Sequence, residues 1–354
     1  MVAAKSVTFL QPKGWEICAV RNRLPSDHDS ISLHLSQQTS VCTPQRNFFR
    51  GIFQLLRVPN LFTAIADVLA GYFIGLGGLA QLSWSIGCFL ALSAVCFYAG
   101  GVVLNDVVDL PKDRLHRPNR PLPAGVISLK AAIFLGFGLL LMGWVASGLV
   151  ALAASSLWPW VAGSLLGMCI LGYNFWTKST FLGPAVMATC RVLNLGQGIL
   201  AGVVLSTRWL EWAYLWTALA FGLYVAGITV FARGEAETPK RPVLLIGLVI
   251  VLLAFSLLAF LPAFVPNPQI QLPWSWAQWL LLVGLPAGIL LLRFGQAWIT
   301  PTPELVQRAV RQAILWIIVW DATFCFAFVG GMPALAILIL LIPAGFLSLW
   351  VNPT

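Results

Sequence analysis

The sequence predicts an all-α, polytopic transmembrane bundle of about nine or ten helices. Three observations lead there. Of 354 residues, 59% are hydrophobic and only 9% charged, against roughly a quarter charged in soluble globular domains. Apolar runs of about 18 residues or more, enough to cross some 30 Å of hydrocarbon, recur from Leu61 almost to the C-terminus. Lipid offers backbone N–H and C=O groups no partners, and the runs lack the two-residue alternation of barrel strands, so each closes its hydrogen bonds within a helix.

Residues 1–50 are polar, hydroxyl-bearing and without periodicity. Their acids Glu16, Asp27 and Asp29 fit a plastid transit peptide poorly, so a disordered cytoplasmic tail is preferred, preceding one membrane domain over 51–354. Within that domain the expected spans are 61–80, 85–105, 129–150, 156–175, 183–204, 211–232, 242–264, 274–293, 306–328 and 333–350. With a cytoplasmic N-terminus, all of the 21 Lys and Arg fall on the cytoplasmic side except Arg208, in an outside loop, and Arg191, within a span. Positive charge gathers in cytoplasmic loops, so the asymmetry supports the span count and places both termini inside. A bacterial inner membrane is preferred to a plastid membrane.

The formal charge of +9 is then mostly a topology signal, with attraction to anionic headgroups and phosphates, and no nucleic-acid patch stands out. Seven cysteines without a C-x-x-C pair, and only His28, His34 and His116, speak against zinc. Any metal should take oxygen ligands. The outside connections are short and nearly uncharged, whereas the loops after the second and sixth spans are longer and acidic, so chemistry is expected on the inside face.

The decisive stretch is N-D-V-V-D-L-P-K-D-R-L-H-R-P-N-R-P-L-P-A-G, from Asn105 to Gly125. On a helix Asp106, Asp109 and Asp113 recur at i, i+3 and i+7, one face carrying three like charges. Such a stripe at a membrane border makes sense where hard divalent cations neutralise it, and magnesium binds through one or two carboxylates plus substrate phosphates. Pro111 would clash with the carbonyl of Val107 inside a continuous helix, which leaves a loop as the alternative setting for Asp113. Arg117 and Arg120 carry planar forks suited to phosphate oxygens or to the neighbouring carboxylates, with headgroup contact as the competing role.

This segment resembles the first aspartate motif of the UbiA superfamily of intramembrane prenyltransferases, N-D-x-x-D-x-x-x-D followed by R-P-x-R-P-[LI]-P-[SA]-G. The R-P-N-R-P-L-P form is most similar to the archaeal ether-lipid, chlorophyll-synthase and EboC branches. Where the family's second D-x-x-x-D motif is due, the chain reads T-V-F-A-R-G-E-A-E, and Arg233, Gly234 and Glu235 resemble the R-G-E element of UbiA-like EboC proteins. L-L-R-V-P-N-L-F-T-A around Asn60 and C-R-V-L-N from Cys190 to Asn194 point the same way. The resemblance implies a Mg2+-dependent transfer of a polyprenyl group from prenyl diphosphate to a small or lipophilic acceptor by ionisation, with products of a shared gene cluster as further partners. Asp106, Asp109 and Asp113 would hold magnesium beside Asn105, and Glu235 with Glu237 would take a second ion. Tyr173 and Lys178 resemble the family's Tyr and Lys near the diphosphate, at a spacing of five in place of the usual four. Lys178 is also the sole base of its inside loop.

Polar residues inside spans complete the pattern, because ionisable groups there are costly. Asn60 and Asp67 stand at i and i+7, Arg191 and Asn194 at i and i+3, and the four could line one pocket. A structural pairing of Asp67 or Asp321 with Arg191 is equally open. The rival to catalysis is a carrier, or a transport-associated protein, that binds an isoprenoid or phosphorylated precursor without turning it over.

Overall fold

The computed structural model describes residues 48–207, 212–233, 240–264 and 275–350. The tail up to residue 47, and with it most of the expected disordered segment, lies outside the described residues, as do Glu235 and Glu237. Every described element is helical. In chain order they are α1 (Phe48–Leu55), α2 (Val58–Leu76), α3 (Trp84–His116), α4 (Leu129–Ala153) and α5 (Trp158–Gly172), which runs into a π turn (Tyr173–Thr177). The series continues with α6 (Gly183–Ser206), α7 (Trp212–Ala232), α8 (Arg241–Ala259), α9 (Leu261–Phe264), α10 (Trp276–Ile299), α11 (Pro303–Phe328), α12 (Gly331–Ile339) and α13 (Leu341–Trp350).

Among the described residues nine helical stretches are long and apolar enough to cross a membrane, with Phe48–Leu76 and Gly331–Leu349 each counting once. The remaining expected span, 156–175, is the shorter α5 with its π turn. The helix ends follow local chemistry. Proline stands in the first turn of α2, α5, α6, α8 and α11, where its missing N–H costs nothing. Ser128 caps α4 by accepting from the N–H of Ala131 at 3.2 Å, and Ser275 with Gln278 forms a capping box on α10.

One expectation about the chemistry-bearing stretch is corrected. α3 runs through Pro111 to His116, so Asp113 sits on the helix and the loop alternative falls. At 1.5 Å per residue its 33 residues extend about 50 Å, well beyond some 30 Å of hydrocarbon, so the turns bearing the carboxylates project past the apolar core. The spacing of five between Tyr173 and Lys178 also finds its cause. The N–H of Lys178 donates to the carbonyl of Tyr173 at 3.0 Å, the i to i+5 bond of a π turn, and this wider turn absorbs one extra residue.

α2 is the hub, packed against α6, α3, α11 and α13. Its approach to α6 is limited by backbone. A Cβ on Gly71 would lie 2.0 Å from the carbonyl oxygen of Leu195, and one on Gly198 would lie 2.0 Å from that of Val68. Small residues let membrane helices come this close, and here they bring the polar residues of α2 and α6 within hydrogen-bond range. The largest apolar core joins α7, α8, α10 and α11 through residues such as Tyr224, Phe255, Phe294 and Trp320. Outward-facing Phe134, Leu152, Leu285 and Leu292 are exposed, as expected of surfaces that meet lipid.

Candidate functional site

Three carboxylates on the last turns of α3 each meet a base from a different part of the chain. Asp106 accepts from Arg57 Nη2 at 3.2 Å, and Arg120 Nη1 stands 3.5 Å from the same oxygen. That Arg120 nitrogen donates to Asp113 Oδ2 at 2.7 Å. Asp109 is paired with Lys178 and also accepts from Asn105 Nδ2 at 3.4 Å. Asp106, Asp113 and Arg120 are buried although they lie at the end of the bundle. Burial draws the Lys178 ammonium below the usual lysine range, and the bond to Asp109 opposes that shift.

The bases are placed by the fold. Arg57 closes the link between α1 and α2 in the left-handed region, at φ 47 and ψ 51, a conformation that L residues with side chains adopt at a cost. Arg120 is held in the Pro-rich segment after α3, where the N–H of Arg120 donates to the carbonyl of Arg117 and the N–H of Ala124 to that of Arg120. Lys178 leaves the π turn towards α3. Arg57 is the residue that sequence reasoning missed. It entered only as one of many cytoplasmic charges, and its signal was the neighbouring V-P-N run that begins α2.

Beneath these groups opens a cavity of about 500 Å3. At one end it is lined by Arg57, Asn60, Asn105, Asp109, Lys112, Asp113, Arg117, Arg120, Tyr173 and Lys178. Its body is apolar, walled by Phe97, Leu166, Ile170, Met187, Val225, Ile228, Val310, Ile314 and Ile317. A polar wall of Tyr98, Arg191 and Asn194 completes it, with the Arg191 guanidinium 5.0 Å from the Tyr98 ring centre. A charged end and an apolar body therefore share one space.

Asp67 does not line this cavity. It is fully buried, accepting from Arg191 Nη1 at 2.7 Å and from Asn194 Nδ2 at 3.2 Å, while Arg191 Nη2 donates to Thr63 Oγ1 at 2.9 Å. This is the interhelical pairing, with Asn60, Arg191 and Asn194 facing the cavity and Asp67 behind them. Arg233 also stays outside the cavity lining. It is exposed, and its guanidinium donates to the carbonyl of Thr180, tying the end of α7 to the loop before α6.

The donor set suits a hard divalent ion in chemistry and in charge. The ligands on offer are carboxylate oxygens, and the Arg120 nitrogen between Asp106 and Asp113 marks where positive charge bridges two of them. Among the described residues no three His, Cys, Asp or Glu side chains converge on one point. Substrate oxygens would therefore have to supply the remaining ligands.

The UbiA prenyltransferase family matches residues 64–310. A digeranylgeranylglyceryl phosphate synthase of Metallosphaera sedula is 30% identical over 190 residues, covering 51% of this chain and 63% of that protein. The chain spans 49% to 63% of the length of the first three such synthases it matches. A solved structure concerned with digeranylgeranylglyceryl phosphate synthase in membranes shares the fold with a TM-score of 0.56 at 18% identity, covering 80% of this chain and 99% of that one. A UbiA homolog from Archaeoglobus fulgidus, bound to DMAPP and Mg2+, shares it with a TM-score of 0.51 at 14% identity, covering 77% and 98%. The family match takes in the carboxylate-bearing end of α3 and most of the cavity lining beneath it, and this chain belongs to the UbiA prenyltransferase family.

Proposed function

We propose that this chain transfers a polyprenyl group from its diphosphate to a small or lipophilic acceptor within the bilayer, with Mg2+ held by Asp106, Asp109 and Asp113. The observation that carries this reading is the joining of a stripe of paired carboxylates and bases to an apolar cavity of about 500 Å3. Magnesium, when bound, would neutralise charge on the diphosphate oxygens. Arg57, Arg117, Arg120 and Lys178 would bind and orient the diphosphate, and their charge offsets the negative charge that grows there as the C1–O bond breaks and the leaving group takes the electron pair. The apolar walls from α5, α6, α7 and α11 would seat the isoprenoid chain and keep water from the allylic cation until the acceptor attacks. The acceptor's proton leaves as the new bond forms.

The basic end of the cavity coincides with the face assigned to the cytoplasm by the Lys and Arg distribution, which supports a cytoplasmic diphosphate site. The EboC-like placement is supported by Arg233, Gly234 and Glu235 standing where aspartates are usual. The names of the curated relatives support an ether-lipid type of acceptor as the second reading. To separate these, purified protein is incubated with radiolabelled prenyl diphosphates of several lengths, Mg2+ and candidate acceptors. Magnesium-dependent product that is lost in Asp106→Ala supports transfer. Flux of an intact precursor across proteoliposomes, with no diphosphate released, would establish the carrier reading in its place.

A further inference from the structure

Among the described residues five buried side-chain oxygens lack a hydrogen-bond partner, and four of them belong to one cluster: Asp67 Oδ1, Asn194 Oδ1, and both carboxylate oxygens of Asp321. Native interiors rarely leave such groups unpaired without an ion, a water or a function. The cluster joins three helices. Asp67 on α2 and Asp321 on α11 are fully buried and lie within hydrogen-bond reach of one another. Asn194 on α6, 4% exposed, donates both its amide hydrogens away, to the carbonyl of Ala64 at 2.8 Å and to Asp67 Oδ2 at 3.2 Å. Both partners are pure acceptors, which fixes the amide orientation and leaves its oxygen as a lone acceptor.

Charge points the same way as geometry. Among the described residues Arg191 is the cation hydrogen-bonded to the group, and it is committed to Asp67 and Thr63. Ionised together, two carboxylates against one guanidinium would leave one negative charge uncompensated in the membrane interior, where such a charge is costly. A proton shared by the two carboxyls would engage two of the four oxygens and leave the others unpaired. A small monovalent ion beside the two carboxyls would balance the charge and give the orphaned oxygens a partner, whereas a divalent ion would overshoot the charge. We propose that Asp67, Asp321 and Asn194 form an intramembrane site for one dehydrated monovalent cation of the sodium class, behind the Arg191 wall of the cavity and separate from the diphosphate end.

The test is thermal unfolding of the detergent-purified full chain in NaCl, KCl and N-methyl-D-glucamine chloride at equal ionic strength. Sodium should raise the midpoint saturably by about 3 °C or more over the organic cation. Asp321→Asn removes the surplus charge, so it should lose the sodium response and be more stable than the natural chain in sodium-free buffer. Asn194→Leu should weaken the response while keeping both carboxylates, and it serves if Asp321→Asn does not fold. Equal midpoints in the three salts would overturn the proposal. So would a protonated-carboxyl infrared band, present in sodium and abolished by Asp321→Asn, since that would assign the charge balance to a proton.

Discussion

The chain builds two acid and base clusters from the same residue types, and they differ in what surrounds them. At the end of α3 the carboxylates Asp106, Asp109 and Asp113 meet Arg57, Arg120 and Lys178, with Lys112 and Arg117 lining the same opening. In the interior Arg191 pairs with Asp67, while both carboxylate oxygens of nearby Asp321 have no hydrogen-bond partner. The first cluster has a surplus of bases beside a cavity, so an anion with its own cation can exchange into its pairs. The second has a surplus of acid and is buried between α2, α6 and α11, with Arg191 and Asn194 facing the cavity. The same residue types are thus proposed to receive an anion at one level of the membrane and to hold helices together around a small cation at the other.

The comparison breaks most sharply at Arg191. Replacing it with Ala leaves the buried Asp67 carboxylate without its cation, and removal of one partner of a buried pair costs about 3–5 kcal/mol. Arg191→Ala should therefore lose stability by that amount in denaturant unfolding from detergent, a larger loss than any single substitution at the α3 cluster. If Arg191→Ala unfolds like the natural chain, the interior group is no clasp.

Asp106→Ala should show the reverse profile. Its two bases reach partly solvated positions or Asp113, so the unfolding midpoint should move little. Turnover should fall by about 100- to 1000-fold, the scale seen when a charge-stabilising group is removed from a reacting centre. Radiolabel transfer at saturating Mg2+ reads this directly, and a variant with normal turnover but low stability would reverse the roles assigned to the two clusters.

How much of this was legible in the sequence follows from the range of each interaction. The carboxylate stripe needed only helical spacing, since 106, 109 and 113 lie within two turns. The π turn was half legible, as a spacing of five with no stated cause. Pro111 misled, because a proline near the end of a long helix is tolerated where few hydrogen bonds remain to be lost. The meeting of Asp67 with Asp321, more than two hundred positions apart, depends on α2 packing against α11 and carries no local signal. Arg57 was hidden for a different reason: in a loop rich in basic residues, topology accounts for charge so well that one arginine of the candidate site does not stand out.

Gly198 sharpens the contrast because it controls only the interior. A side chain there meets the carbonyl of Val68 at 2.0 Å, so α2 and α6 must part. Gly198→Val should cost about 1–3 kcal/mol of stability, as overpacking does, and lengthen the Asp67 to Arg191 contact. Binding of inorganic diphosphate at the α3 cluster, followed calorimetrically in Mg2+, should stay unchanged.

The smallest effect is a pH dependence confined to the mouth. Lys178 holds its proton less firmly than an exposed lysine because burial disfavours the charged form. A bound diphosphate needs that charge, so affinity should be full below the lowered pKa and fall as pH rises through it. Losing one charge-assisted contact of about 1.5 kcal/mol weakens binding roughly tenfold. Lys178→Arg keeps the charge at all accessible pH values, so its alkaline loss should move upward or vanish, while affinity at neutral pH changes less because Asp109 still has a cationic partner. The interior cluster, buried behind the cavity wall, should contribute no such limb. If the alkaline loss persists unchanged in Lys178→Arg, Lys178 is not the group that meets the diphosphate.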